Sequence, residues 1–386
     1  MTAAALHEDL ASLRRRLHGI PELGFEESDT AALICTALSE MQVPFVTGVG
    51  GTGVVATLSR GGGSGAIGLR ADIDALPIDE TTNLPYRSTR PGRMHACGHD
   101  GHVAMLLGAV RALRDSTAFD GTIHFIFQPA EEHGKGALAM MDDGLFERFP
   151  VDAIYGLHNM PLLEAGTIAL RPGPIMAAED NFAIHVRGQG GHAAMPHRSR
   201  DALTIGAAIV TELQTVVARS VDPLEGAVLS CTEFVTDGAV NVIPSNVTIR
   251  GDTRSFRPEV SSLIEARMQR IARALCDAHE AGLDFTYDRV FPPTINTASE
   301  AALAARAAAR TPGVGHVDAD CAPMMASEDF GAMVLRRPGC YAFIGNRGKD
   351  GKGGTMLHNP GYDFNDDIIP LGVAYWVTLA ETALPA

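Results

Sequence analysis

Between residues 53 and 157, short apolar runs alternate with segments of helical period, and that alternation admits few folds. Residues 53–58 and 66–71 read as buried strands around the Gly61-Gly62-Gly63-Ser64-Gly65 turn. Residues 122–127 alternate apolar and polar side chains ahead of Pro129, and 153–157 form a fourth apolar run. Helical spacing fills the gaps: Leu10, Leu13 and Leu17 ahead of Pro21, residues 30–41, the Ala/Leu-rich 102–113, and 136–143 closed by Gly144. Strands alternating with helices imply an α/β fold, a mixed, mostly parallel sheet sandwiched by helices. Ligands of such sheets gather beyond the carboxyl ends of the strands. His99, Glu131, Glu132 and His158 all fall there on this reading.

The texture changes near Ala177. Residues 181–187 alternate as a strand, Gly188-Gln189-Gly190-Gly191 makes a loop, and 201–218 is a helix. Two further strands, 226–235 and 247–253, precede a helix over 260–281. That order suits an α+β sandwich with one open sheet face. Strand–helix alternation resumes after Phe291, and His358 lies late in that part. If His358 shares a site with His99, residues 1–180 and 289–386 form one discontinuous domain and 181–288 an insert. A chain of 386 residues has room for about two such domains.

The segment His95-Ala96-Cys97-Gly98-His99-Asp100-Gly101-His102 crowds a thiol, three imidazoles and a carboxylate into eight positions. Thiolate and imidazole ligate borderline divalent metals, and carboxylates orient or share them. Cys97 and His99 in a loop can aim at one centre or at two adjacent ones; alone, the pair would read as a core thiol beside a core histidine. Glu131-Glu132 follows a strand directly, so the two side chains point apart: one can bind metal while the other faces the attacking water. Without the other residues the pair would read as an acidic helix opening. Asp72 and Asp74 share a strand face, where one can hold a ligand histidine by its second nitrogen or cap a turn. His158 ends an apolar strand, and His358 sits in Met356-Leu357-His358-Asn359-Pro360. His95, His102, His124 and His133 rank below these. In the insert, Gly190-Gly191-His192-Ala193-Ala194-Met195-Pro196-His197 sets two histidines in a small-residue loop, followed by Asn241 and Arg254. An arginine clamps carboxylates, and histidine or asparagine donates to an oxyanion.

Acidic residues outnumber basic ones, 46 to 31, for a net charge of −15. That balance argues against nucleic acid or an anionic membrane surface as partner. The six scattered cysteines fit a reduced, cytoplasmic setting. The N-terminus lacks the apolar core of a secretory signal, and no uninterrupted apolar run is long enough to span a bilayer.

Taken together, Arg15-Arg16-Leu17-His18, Pro21-Glu22-Leu23-Gly24-Phe25-Glu26, residues 70–77, 95–102, 128–132, 190–197 and 241–244, and Ser327-Glu328-Asp329-Phe330 resemble one family. It is the two-metal amidohydrolases that include hippurate hydrolase, bacterial aminoacylases and plant indole-acetyl-amino-acid hydrolases, with glutamate-releasing carboxypeptidases as more distant relatives. The resemblance runs from about residue 15 to 363. It implies Cys97, His99, Glu132, His158 and His358 as metal ligands, Glu131 as general acid/base and Asp74 as the carboxylate that orients the site. It implies that His192 reaches the substrate carbonyl across a dimer, that Asn241 and Arg254 contact the substrate carboxylate, and that His197 also binds substrate. It also implies two divalent ions per subunit, zinc or manganese, with nickel or cobalt as alternatives. The insert becomes a dimerisation lid, and the protein a homodimer or higher homo-oligomer. The expected reaction is hydrolysis of the amide bond of small N-acyl amino acids; the alternative is a dipeptidase or carboxypeptidase using the same site. Ser327 to Phe330 match without a role that chemistry supplies.

Overall fold

A computed structural model describes residues 3–386, with side chains from residue 6 onward. By contacts the chain divides into two compact units: Met1–Ile175, Ile295–Pro323 and Asp329–Ala386 make the first, Met176–Thr294 with Met324–Glu328 the second.

The first unit opens with helices α1 (Ala3–His18) and α2 (Ser28–Glu40), then strands β1 (Phe45–Val49), β2 (Gly53–Arg60) and β3 (Ala66–Asp72). Helix α3 (His99–Asp115), β4 (Gly121–Gln128), helix α4 (Gly136–Asp142) and β5 (Ala153–Glu164) follow. Strand Gly339–Arg347 enters the sheet beside β5, and Thr167–Ala169 and His316–Asp318 complete it. The eight strands run β1, β2, β4, β3, β5, Gly339–Arg347, Thr167–Ala169, His316–Asp318. The β3–β4, β3–β5 and β5–Gly339 pairings are parallel, while β1–β2 and β2–β4 are antiparallel. The sheet is therefore mixed. β2 and β3, consecutive in sequence around the glycine-rich turn, are not neighbours, because β4 lies between them. β1 is a strand the sequence reading lacked: three of its five residues are exposed and two of those are Thr47 and Gly48, so it has no apolar run to announce it.

α3 is buried on all sides from His99 to Val110, the C-terminal helix Ile369–Ala383 buries most of its apolar residues, and the core of this unit is built around them and the sheet, with Trp376 and Phe125 fully enclosed. α3 begins at His99, three residues earlier than its helical spacing suggests. Gly98 caps it at φ +91°, and a Cβ there would collide with the side chains of Asn159 and Tyr362. A left-handed cap of this kind leaves no periodic signature.

The second unit holds an antiparallel sheet in the order Ala227–Thr236, Asn246–Ser255, Ala178–Arg187, Gly282–Phe291. Helices Ala202–Ser220 and Pro258–Ala278 bury Ile205, Ile209, Leu213, Ile264 and Met268 in this unit's core. By length and composition alone Ala202–Ser220 would pass for a membrane-crossing helix. Its buried residues recur at helical spacing, however, which gives it the single apolar stripe of a core helix.

Candidate metal centre and substrate contacts

The strand ends of the first unit bring distant residues to one point. Cys97 Sγ lies 3.3 Å from His158 Nε2. Donor atoms of Cys97, Glu132 and His358 fall within 4.8 Å of one another, as do those of His99, Glu131 and Glu132. His358 Nε2 is 3.5 Å and His99 Nε2 3.9 Å from Glu132 Oε1. Cys97, His99, Glu131, Glu132 and His158 are buried or nearly so, while His358 has a half-exposed side chain.

Each strand delivers its residue for a local reason. β5 pairs with β3 only as far as Gly156, opposite Arg70, yet continues to Glu164 beside Gly339–Arg347. His158 therefore stands in mid-strand, not at a strand end as its apolar run suggests, but just past the point where β3 stops covering it. After β4, Pro129 and Ala130 turn the chain. Ala130 sits at φ +50°, a left-handed conformation costly for alanine, and its N–H donates to the buried Glu27 carboxylate at 2.8 Å. Glu131 and Glu132 follow at once. His358 is also left-handed, at φ +62°, with its N–H bound to Ala96 O at 2.8 Å.

Hydrogen bonds fix the imidazole tautomers. His99 Nδ1 donates to Asp74 O at 2.9 Å, with an Asp74 carboxylate oxygen 3.3 Å away. His158 Nδ1 donates to Asn159 O at 2.7 Å. Carbonyls only accept, so in the neutral form each ring carries its lone pair on Nε2. The other Asp74 oxygen accepts from Glu132 N at 3.0 Å, so one carboxylate orients two neighbours. Among the described residues, His99 Nε2 and Glu132 Oε1 are buried with no hydrogen-bond partner. Buried polar atoms without partners are costly, and these two point lone pairs at one place. Thiolate, imidazole and carboxylate donors of this kind suit divalent cations, so the residues fit a metal site.

The electrostatics agree. Burial disfavours protonated His99, yet Asp72, Asp74 and Glu132 outweigh it and push the imidazole up to about 10 in the absence of a cation. The same anionic surroundings would hold a cation. Burial, with His102 adding to it, holds His158 neutral.

Donor atoms of Asp72, His99, His102 and His158 also lie within 4.8 Å of one another. Both His102 nitrogens are engaged by the first unit's own backbone and side chains. Nε2 accepts from Asn159 N at 3.0 Å, which puts the proton on Nδ1, 2.5 Å from Asp72. Asp72 in turn meets Arg70 Nη1 at 2.7 Å. Burial opposes its charge, but His99, His102 and Arg70 keep it ionised far below the usual carboxylate range. Arg70 reaches Asp329 at 3.0 Å, and Asp329 also accepts from Gln128 Nε2 at 2.8 Å and Ala137 N at 2.9 Å. This brace runs from α4 through Asp329, Arg70, Asp72 and His102 to the backbone beside His158. It supplies Asp329, in the Ser327-Glu328-Asp329-Phe330 motif, with a structural role. Arg70, Gln128 and Glu27 are the supporting residues sequence reasoning missed. Arg70 and Gln128 stand as polar residues at the ends of apolar runs and within the matching segments 70–77 and 128–132, whereas Glu27, in Glu26-Glu27-Ser28-Asp29, carries no such signal. His95 is buried with neither ring nitrogen bonded, His124 meets Thr57 Oγ1 at 2.9 Å inside the sheet, and His133 is exposed.

In the second unit, the two-residue strand Gly191–His192 pairs with Val242–Ile243, and Ala193 N donates to Asn241 O at 3.1 Å. His192 and Asn241 are thus adjacent. Ala194 N donates to His192 Nδ1 at 3.1 Å, so the exposed Nε2 carries the proton and is a donor. His197 is exposed in the short turn Pro196–Arg198. Arg254 is not near them. His192 lies past Arg187, whose partner across the sheet is Asn246, whereas Arg254 pairs with Glu179. Arg254 is eight positions further along the same strand, about 26 Å at a strand's rise. Its Nη1 meets Glu179 at 2.7 Å and Ser327 Oγ at 2.8 Å, and its Nε meets Asp252 at 2.6 Å.

A family profile described as peptidase family M20/M25/M40 matches residues 68–382. The chain is 38% identical to the hippurate hydrolase of Campylobacter jejuni over 97% of its own length and 96% of that protein. It is 42% identical to the N-acyl-L-amino acid amidohydrolase of Geobacillus stearothermophilus over 75% of its own length and 78% of that protein. Among solved structures, a Bacillus subtilis protein described as a dinuclear metal binding peptidase superimposes with a TM-score of 0.86 at 33% identity, covering 99% of both chains.

Proposed function

The chain belongs to peptidase family M20/M25/M40, and from that premise we propose that it is a metal-dependent amidohydrolase that splits N-acyl amino acids into a carboxylic acid and an amino acid. The observation that carries this is the convergence of Cys97, His99, Glu132, His158 and His358, with Glu131 directly beside them. Those five side chains would hold two divalent ions. Cys97 lies within reach of both His158 and the Glu132–His358 pair, so as a thiolate it would be one of the residues holding the ions. Zinc or manganese matches the mixed donor set, and nickel or cobalt is compatible with it. When bound, the ions supply Lewis-acid polarisation of the scissile carbonyl and a more acidic attacking water.

The chain's own residues do the rest. Glu131 takes a proton from the attacking water and returns it to the departing amine nitrogen. Asp74 keeps His99 and Glu132 aimed. His192 donates from Nε2 to the carbonyl oxygen as charge develops there, a kind of contact that can contribute about 3 kcal/mol. Asn241 and His197 line the substrate near it, and Arg254 meets the amino-acid half.

One small substrate cannot span the length of sheet between His192 and Arg254. Their separation supports a homodimer in which one copy supplies His192 and Asn241 and the other supplies Arg254, with residues 181–288 as dimerisation lid. The composition supports a cytoplasmic location.

The test is an activity screen after reconstitution with each of the four metals, across benzoyl-, acetyl- and indole-acetyl-amino acids and simple dipeptides. Turnover of at least one acyl class is expected, and Glu131→Gln should lose at least 100-fold in kcat while metal content stays constant. Metal-replete protein that cleaves dipeptides alone would overturn the substrate assignment.

A further inference from the structure

Asn159 follows His158 on β5 and is wholly buried. Its backbone makes bonds that any residue there could make: the N–H donates to His102 Nε2 at 3.0 Å, and the carbonyl accepts from His158 Nδ1 at 2.7 Å. Its side chain needs an amide, a group that donates on one side and accepts on the other. Nδ2 donates to Cys97 O at 3.1 Å, and the Tyr362 hydroxyl lies 2.9 Å from both Nδ2 and Oδ1. A carbonyl oxygen only accepts, so the amide must present its nitrogen to Cys97, and the hydroxyl donates to Oδ1.

Tyr362 ties in a third stretch of chain. It is fully buried, and its N–H donates to Asn359 O at 2.9 Å, just after His358. His358 is itself held by its N–H to Ala96 O at 2.8 Å, next to Cys97. The stretches that carry Cys97, His158 and His358 thus meet at one amide and one hydroxyl. The fit is close: a Cβ on Gly98 would come within 2.2 Å of Asn159 Oδ1 and 2.5 Å of the Tyr362 oxygen.

We propose that Asn159 and Tyr362 are a positioning pair that sets Cys97, His158 and His358 at their binding separations before a cation arrives. The proposal rests on the reading that those three residues hold metal. A site assembled from distant stretches otherwise spends binding energy on bringing its ligands together. Hydrogen bonds behind the ligands remove that cost, and losing such bonds weakens metal binding by about 10- to 100-fold. A pair that served the stability of the core alone would lower the unfolding midpoint and leave the affinity of the folded protein unchanged.

The test titrates metal-free enzyme with cobalt(II) against a competing chelator and records the near-ultraviolet cobalt–thiolate absorption. Tyr362→Phe removes one oxygen, and Asn159→Asp keeps the shape but leaves only acceptors facing Cys97 O. Tyr375→Phe, at an equally buried tyrosine of the C-terminal helix, is the control. Circular dichroism verifies the fold of each. Wild type and Tyr375→Phe are expected to bind alike. Tyr362→Phe and Asn159→Asp should bind about 10- to 100-fold more weakly, with a weakened or displaced thiolate band. Wild-type affinity and an unchanged band in Tyr362→Phe would overturn the proposal, and that variant decides alone if Asn159→Asp does not fold. Equal weakening in Tyr375→Phe would also overturn it, by making the effect one of core packing. Wild type that takes up no cobalt would remove the metal reading itself, whereas tight binding indifferent to both variants removes only the positioning pair.

Discussion

The imidazoles around Cys97 differ in what their two nitrogens meet. His99 and His158 both spend Nδ1 on carbonyls; among the described residues His99 Nε2 has no hydrogen-bond partner, His158 Nε2 meets Cys97 Sγ, and His102 spends both nitrogens on Asp72 and Asn159 N. No spacing rule distinguishes them, since His99 and His102 both fall in one eight-residue motif. That these side chains would cluster was legible because thiol, imidazole and paired carboxylates are unusual in such density. Tautomers were not, because they depend on carbonyls from other elements. A different residue-scale consequence lies at His18, buried between Asp100 at 2.8 Å and Glu80 at 3.5 Å. Burial lowers its affinity for a proton, but hydrogen bonds to Asp100 and Glu80 prevail and raise it to about 9. An unfolded histidine titrates near 6.5, so this contribution to stability is complete below pH 6.5 and disappears as pH climbs through 9. It amounts to at most about 3 kcal/mol. Urea denaturation at pH 6.5 and pH 9 should show wild type losing more stability than His18→Gln; equal losses would refute the assignment.

At the scale of elements, the turn from Pro129 to Gly136 is held from three sides: Glu27 on Ala130 N, Asp74 on Glu132 N, and Asp329 on Ala137 N. Asp329 and Arg70 are almost wholly enclosed. Removing one partner of such a pair strands the other charge, at a cost of about 3–5 kcal/mol. Asp329→Asn should therefore lower the denaturation midpoint strongly, whereas Glu131→Gln should leave it nearly unchanged. Comparable midpoints for the two variants would mean the brace is not under electrostatic tension. Element type was readable wherever an apolar period existed, as in β3, β4 and α3. Strand order was not, since β4 comes between β2 and β3 only through long-range pairing. Likewise, nothing in the apolar run 153–157 signals that β5 continues to Glu164, because its later pairing depends on a strand nearly two hundred residues away.

For the whole molecule, the proposed dimer makes a prediction that no monomeric enzyme shares. If His192 of one copy serves Glu131 of the other, two inactive variants should rescue each other. Mixing His192→Ala with Glu131→Gln, then allowing subunits to exchange, should restore about a quarter of wild-type activity: half of the random pairs are hybrids, each with one complete site. A mixture as inactive as its parts, with exchange verified by mass, would place both residues in one copy. Domain scale was also where the sequence was least informative. The contact boundary takes in Met324–Glu328 with the second unit, a five-residue return that no shift in composition marks.

Gly339–Arg347 is an interior strand of its sheet, between β5 and Thr167–Ala169, and His358 follows only eleven residues after it. A ribosome making this chain therefore releases almost all of it before the middle of that sheet can close. The nascent protein carries Cys97 and His99 for most of its synthesis with no finished cage around them. Cation uptake then waits for His358, and a chain cut short before residue 339 has a gap through the centre of its sheet.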